Sequence, residues 1–227
     1  MNLAIPAPPA VVVPVDGSDA VFPVRRIYCV GRNYVLHIRE GGYDEREPPF
    51  FFQKPADALL PSGSEFPYPT QSSNVHHEIE LVVAIGTGGR DIAPSEALEH
   101  IFGYAVGLDM TRRDLQGVAK DMRRPWEAGK AFDHSAPCTA IVPASRIGHP
   151  GNGRIWLNVN GEVRQEGDLR DQIWNVPEII GHLSALFELV PGDLIFTGTP
   201  SGVGPVQPGD VLQGGAEGIG ELEIRVT

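Results

Sequence analysis

The sequence predicts an α+β chain that is mainly β, and three observations carry that prediction. Glycine (27) and proline (21) both exceed average usage without any repeat period, so the chain is cut into short, turn-rich segments. Its apolar runs are short and β-branched and end at turn residues, as at residues 79–85 before Gly86 and 193–197 before Gly198. The best helix signal is at Asn175, with Pro177 in its first turn and Ile179, Ile180, Leu183, Leu186 and Phe187 along one face before Pro191-Gly192. At 227 residues the chain can bury a full core without disulfide staples.

Residues 1–24 read as an extended N-terminal arm, Pro-rich, with one edge strand at 10–15 and a turn at Asp16-Gly17-Ser18. Residues 26–30 form a strand that breaks at Gly31, and Asn33 caps a short helix that stops at Gly41-Gly42. On that helix His37 and Glu40 share a face, so the carboxylate can hold an imidazole nitrogen: a general base with its orienter, or a surface pair. Residues 50–54 are an aromatic strand closed by Lys54, either a snorkelling surface lysine or a cation presented to a site. Pro94-Ser95-Glu96 starts a helix with Leu98, Ile101 and Phe102 inward. Residues 105–110 are a second buried strand with Asp109 at its end, and Thr111 to Asp114 open a helix in capping-box style, on which Arg113 and Gln116 share a face. By its local pattern Asp109 reads as a cap or turn residue. The segment 123–132, with Arg123, Arg124 and Lys130, is either a solvated basic loop or a lid over an anion. Residues 154–159 and 162–165 flank an Asn160-Gly161 hairpin turn, and the glycine-rich turn 198–204 exposes backbone N–H groups suited to a carboxylate.

Residues 74–85 hold the sharpest signal. Glu78 and Glu80 stand at the entrance of an apolar strand, on one face by alternation, with His76 and His77 in front. Two anions at the edge of an apolar interior cost several kcal/mol each unless a cation lies between them. The pair Glu221 and Glu223 has the same spacing but sits in a cleanly alternating, half-exposed strand, so spacing by itself is weak. A divalent cation and a solvated strand end both remain open for Glu78 and Glu80.

The balance of 18 basic to 29 acidic residues, net −11, argues against nucleic acid and against an anionic membrane surface as partners. Cys29 and Cys138 are far apart and match no metal or redox spacing, as expected of buried thiols in a reducing cytoplasm. No apolar run approaches the ~20 residues of a membrane helix, and the opening lacks a signal-peptide pattern.

Taken in order, Gly31-Arg32-Asn33-Tyr34 with His37 and Glu40, Phe52-Gln53-Lys54-Pro55, His76 to Glu80, Gly107 to Thr111, Lys130-Ala131-Phe132 and Thr197-Gly198-Thr199-Pro200 resemble the fumarylacetoacetate hydrolase superfamily. The resemblance runs from about Arg25 to the C-terminus, which makes residues 25–227 the catalytic domain. It is nearest the short acylpyruvase and fumarylpyruvate hydrolase branch, without the separate N-terminal barrel of the liver-type enzymes. The resemblance implies a mixed, mainly β roll or sandwich with short helices, and a homodimer. It implies metal ligands at Glu78, Glu80 and Asp109, a hard-oxygen set for Mg²⁺ or Mn²⁺. It further implies His37 with Glu40 as base, Lys130 as a catalytic cation, and Arg32, Lys54, Arg113, Gln116, Gly198 and Thr199 around a small anionic keto-acid substrate. Arg113, Arg123 and Arg124 are candidates for a second substrate carboxylate. The implied reaction is hydrolytic C–C cleavage of a 2,4-diketo acid, fumarylpyruvate foremost. Oxaloacetate decarboxylation, keto-acid isomerisation or hydration, and metal-dependent carboxylate binding without catalysis are the alternatives.

Overall fold

Strand Ile79–Ile85 is buried at all seven positions, and the reason lies in what covers its two faces. Leu81, Val83 and Ile85 enter one hydrophobic core, while Val82 and Ala84 enter a second. Its neighbours divide their side chains in the same way: Tyr104, Val106 and Leu108 face the first core with Ile195, and Ala105 faces the second with Leu194 and Phe196. A strand covered on both sides needs no polar alternate, which explains the continuous apolar run.

The computed structural model describes residues 2–34 and 47–227. Among these residues the largest sheet has eight strands. Its order is β4 (Phe50–Lys54), β3 (Ile27–Gly31), β15 (Leu194–Phe196), β8 (Ile79–Ile85), β9 (Ile101–Leu108), β11 (Ala136–Cys138) and β5 (Leu59–Pro61), with β12 (Val142–Pro143) also on β9. A second sheet runs β14 (Glu162–Asp168), β13 (Arg154–Val159), β17 (Val211–Ala216), β18 (Gly220–Val226) and β6 (Glu65–Phe66). A small one runs β10 (Thr111–Arg112), β7 (Val75–His77) and β16 (Gly204–Val206). The second sheet presses on the first where Gly214 meets β8: a Cβ there would come within 2.9 Å of Ile79 Cδ1. The outcome is the mixed, mainly β architecture with few short helices.

Near the N-terminus β1 (Val12–Pro14) pairs with β2 (Val21–Pro23), so the segment read as an extended arm with one edge strand contains a two-stranded hairpin. Val13, Val15 and Phe22 cover the second core, each such burial contributing about 1.5–3 kcal/mol. Among the described residues the α-helices are α1 (Arg113–Asp121), α2 (Glu127–Lys130), α3 (Ala144–Ile147) and α4 (Val176–Leu186). α4 opens with the capping box at Asn175 and Glu178, and Ile179, Ile180 and Leu183 are buried, although Leu186 faces solvent.

Two helix expectations are corrected. Residues 97–100 make only a 3-10 turn, and Ile101 and Phe102 belong to β9, because pairing along β8 outweighs a local helix signal. Thr111 does not cap α1: it lies in β10, and its hydroxyl donates to the Asp109 carbonyl (3.1 Å). The helix expected after Asn33 falls largely outside the described residues. The Asn33 amide donates to the carbonyls of Thr197 (2.8 Å) and Trp174 (2.9 Å), which fastens the end of β3 beside that of β15.

Candidate active site

Glu78 stands at the junction where β7 leaves the small sheet and β8 enters the large one. Glu80 follows on β8, and Asp109 comes directly after β9, its backbone N–H donating to the Glu78 carbonyl (2.9 Å). Antiparallel pairing of β8 with β9 brings these three together, since Ile79 lies opposite Leu108. Their exposures are 6%, 2% and 1%, and an oxygen of each lies within 4.8 Å of the others. The local cap reading of Asp109 gives way to this cluster. His76 and His77, which stand before Glu78 in sequence, point elsewhere: His76 to Asn74 (2.9 Å) and His77 to Gln165 (2.9 Å).

Three buried carboxylates would each cost several kcal/mol if left unpaired, and three cations meet two of them, Glu78 and Asp109. Lys130 Nζ donates to Glu78 Oε2 (2.7 Å), Asp109 Oδ2 (2.6 Å) and Thr111 Oγ1 (2.7 Å). Arg113 donates to Glu78 Oε1 (2.5 Å) and to Gln116 Oε1 (2.7 Å). Lys54 Nζ lies 2.8 Å from Asp109 Oδ1 and donates to the carbonyls of Met110 (3.1 Å) and Lys130. Burial by itself would raise the Glu78 carboxyl, but Lys130 and Arg113 outweigh it and hold the group below its ordinary range. Burial would likewise lower the Lys130 ammonium, but Asp109 and Glu78 outweigh that and keep it protonated.

Glu80 is different. Its one hydrogen-bond donor among the described residues is the Gly198 N–H (2.7 Å), and no described cation pairs with it. Burial, then Asp109 and Glu78, push its carboxyl well above the ordinary range. The Gly198 backbone has φ +96°, and a Cβ there would come within 2.7 Å of Asn33 Cβ, so only glycine turns its N–H toward Glu80 without strain.

These residues fit a divalent ion. The donors are carboxylate oxygens with no thiolate or imidazole among them, a set that suits Mg²⁺ or Mn²⁺. Asp109 Oδ1 is buried and accepts no aligned hydrogen bond, although Lys54 Nζ is close, so it retains a lone pair for a cation. The acidic triad can therefore bind a divalent metal.

Above the triad opens a cavity of about 260 Å³. Glu78, Glu80 and Asp109 line it together with Lys130, Arg113, Gln116, Thr199 and Arg32. Its apolar wall is Phe50, Phe52 and Trp126, with the Phe50 and Trp126 rings edge to face at 5.3 Å. Several expected residues stand elsewhere. Lys54 does not line the cavity: it is buried behind Asp109, which excludes the snorkelling reading. Gly198 does not line it either, since its N–H is committed to Glu80 and thus holds an acidic residue in place of a substrate. Arg123 and Arg124 are exposed and off the cavity. His37 and Glu40 lie outside the described residues.

Two residues were missed in the sequence. Lys120 lines the cavity, its Nζ 5.0 Å from the centre of the Trp126 ring; its spacing from Arg113 and Gln116 (i, i+3, i+7 on α1) could have revealed it. Gln165, buried on β14 and bonded to Thr199, carried no local signal.

A curled, mixed β framework with a buried carboxylate triad below a cation-lined cavity defines the class: a protein with a hard-oxygen site able to take a divalent metal. Residues 26–227 match the fumarylacetoacetate (FAA) hydrolase C-terminal family, and the chain belongs to it. A crystal structure of fumarylpyruvate hydrolase from Pseudomonas aeruginosa in complex with Mn²⁺ and pyruvate is 56% identical, covers 100% of this chain and 99% of that one, and has a TM-score of 0.97. The mitochondrial oxaloacetate tautomerase FAHD1 of Bos taurus is 42% identical over 202 residues, 89% of this chain and 91% of that protein. The mitochondrial oxaloacetate decarboxylase of Dictyostelium discoideum is 42% identical over 196 residues, 86% and 90% respectively.

Proposed function

We propose that this protein is a metal-dependent hydrolase of 2,4-diketo acids that converts fumarylpyruvate and water to fumarate and pyruvate. The observation that carries the reading is the buried triad of Glu78, Glu80 and Asp109 beneath a cavity lined by four cationic side chains, Arg32, Arg113, Lys120 and Lys130. So acidic a chain (net −11) places cations together there against its overall field, as an anionic substrate requires. The similarity to the Pseudomonas aeruginosa enzyme supports the same substrate.

Glu78, Glu80 and Asp109 would hold Mg²⁺ or Mn²⁺, which when bound supplies Lewis-acid polarisation of keto oxygens. In this reading the Thr199 hydroxyl and Gln116 hold the pyruvyl end of the substrate. His37, oriented by Glu40, takes a proton from the water that attacks the distal carbonyl. Lys130, hydrogen-bonded to Asp109 and Glu78, offsets developing negative charge. Lys120 meets no described carboxylate within ion-pair distance, and with Arg32 it would bind the second carboxylate, for which the sequence offers Arg113, Arg123 and Arg124. A cytoplasmic homodimer serving aromatic (gentisate) breakdown completes the reading, and the two buried, unpaired cysteines are consistent with a reducing compartment.

The relatives named for oxaloacetate support a second reading, enolisation or decarboxylation of oxaloacetate at the same site. One experiment separates the two: Mn²⁺-loaded protein is mixed separately with fumarylpyruvate, acetylpyruvate and oxaloacetate, following loss of diketo absorbance, keto–enol interconversion and CO₂ release. Hydrolysis of fumarylpyruvate with the highest kcat/KM is expected. Turnover of oxaloacetate alone would overturn the proposal.

A further inference from the structure

β14 is exposed at every position but those near its end and one other: Gln165, 1% exposed on the outermost strand of the second sheet. Its burial follows from a bulge. β13 pairs Leu157 with Gln165 but Asn158 with Val163, so Arg164 is an extra residue that re-aims its neighbour. The glycine-rich turn seats on this bulge at Gly202, whose φ is +89° and whose Cβ would overlap the Arg164 carbonyl.

Buried there, the Gln165 amide uses its full capacity. Oε1 accepts from the Ile79 N–H (3.1 Å) and from His77 Nδ1 (2.9 Å), while Nε2 donates to Thr199 Oγ1 (2.8 Å) and to the Pro200 carbonyl (3.0 Å). Two of these partners have no choice of role: a backbone N–H only donates and a carbonyl only accepts. The amide therefore cannot be flipped, and Thr199 Oγ1 must be an acceptor toward Gln165. The Thr199 proton is left to point elsewhere, no described residue accepts it, and Thr199 lines the cavity.

We propose that Gln165 is a positioning residue that polarises Thr199, fixing its hydroxyl as a hydrogen-bond donor to the carboxylate of the bound keto acid. The inference rests on the functional reading above, in which Thr199 faces the pyruvyl end. Because Thr199 Oγ1 accepts from Gln165 Nε2, the hydroxyl proton is directed away from that amide, and the donor is available to a ligand.

The test uses Mn²⁺-loaded protein with pyruvate as the probe, read by calorimetry, with Mn²⁺ affinity measured in parallel. Thr199→Val is expected to weaken pyruvate about tenfold, and Thr199→Ser to stay within about twofold of the parent. Gln165→Met should weaken pyruvate several-fold at unchanged Mn²⁺ affinity, and the double variant Gln165→Met/Thr199→Val should bind no worse than Thr199→Val by itself. If Gln165→Met does not fold, Gln165→Glu serves, because its carboxylate still accepts from Ile79 N–H but draws in the Thr199 proton. Additive losses in the double variant, wild-type pyruvate binding by both Gln165 variants, or a parallel loss of Mn²⁺ affinity would overturn the proposal and leave the functional reading standing. Unchanged pyruvate binding by Thr199→Val would overturn the role of Thr199 in that reading.

Discussion

Two pairs of glutamates in this chain have the same spacing and opposite fates. Glu221 and Glu223 lie on β18, where Leu222, Ile224 and Val226 point inward and the charged residues face water; Glu223 accepts from Gln213 on the neighbouring strand (2.8 Å). Glu78 and Glu80 are buried at the entrance of a strand covered on both faces, where Lys130 and Arg113 meet the first and only a backbone N–H meets the second. In water a carboxylate costs nothing to keep ionised; in the interior it must be matched. The difference teaches that the number of covered faces, not the spacing of acids, separates a solvated strand from a metal site.

The sharpest way to break this comparison is Glu80→Gln against Glu221→Gln. The first is expected to lower kcat/KM for fumarylpyruvate by about 10⁴-fold, roughly 5.5 kcal/mol of transition-state stabilisation, with loss of Mn²⁺ affinity. Chelation of the metal should abolish turnover reversibly while circular dichroism stays native, because Lys54, Lys130 and Arg113 still face the triad. Next in size is Lys54→Met, which leaves Asp109 buried without that partner and should cost about 3–5 kcal/mol in urea unfolding. Lys120→Gln should reduce kcat/KM about tenfold for fumarylpyruvate and leave acetylpyruvate, with its single carboxylate, unchanged. Smallest is Glu221→Gln itself, expected within about 0.5 kcal/mol in stability and without effect on turnover. A loss of Mn²⁺ affinity in that variant would erase the distinction between the two pairs.

Much of the framework was legible because it is written in short-range pattern. The apolar run of β8, the alternation of β18, the Asn160-Gly161 turn and the helix start at Asn175 with Pro177 all depend on residues a few positions apart. The helix expected at Pro94 failed for the converse reason: β8, from the other side of the turn, pairs with Ile101, and Phe102 follows it into β9. The triad was proposed from Glu78 and Glu80 and completed only by family resemblance, since Asp109 reads locally as a cap.

What the sequence by itself determined is which residues can bear charge on which face: Glu78 and Glu80 together, Arg113 beside Gln116, Lys54 closing an aromatic strand. Only the tertiary structure decided which of those charges meet. Lys54 reaches Asp109 from a strand far along the sheet, the Gly198 N–H is given to Glu80 and not to a ligand, and Gln165 crosses from the outer sheet to set the Thr199 hydroxyl. Alternation and capping act over a few residues, whereas the pairing of a buried charge is settled by whatever the fold brings within about 3 Å of it.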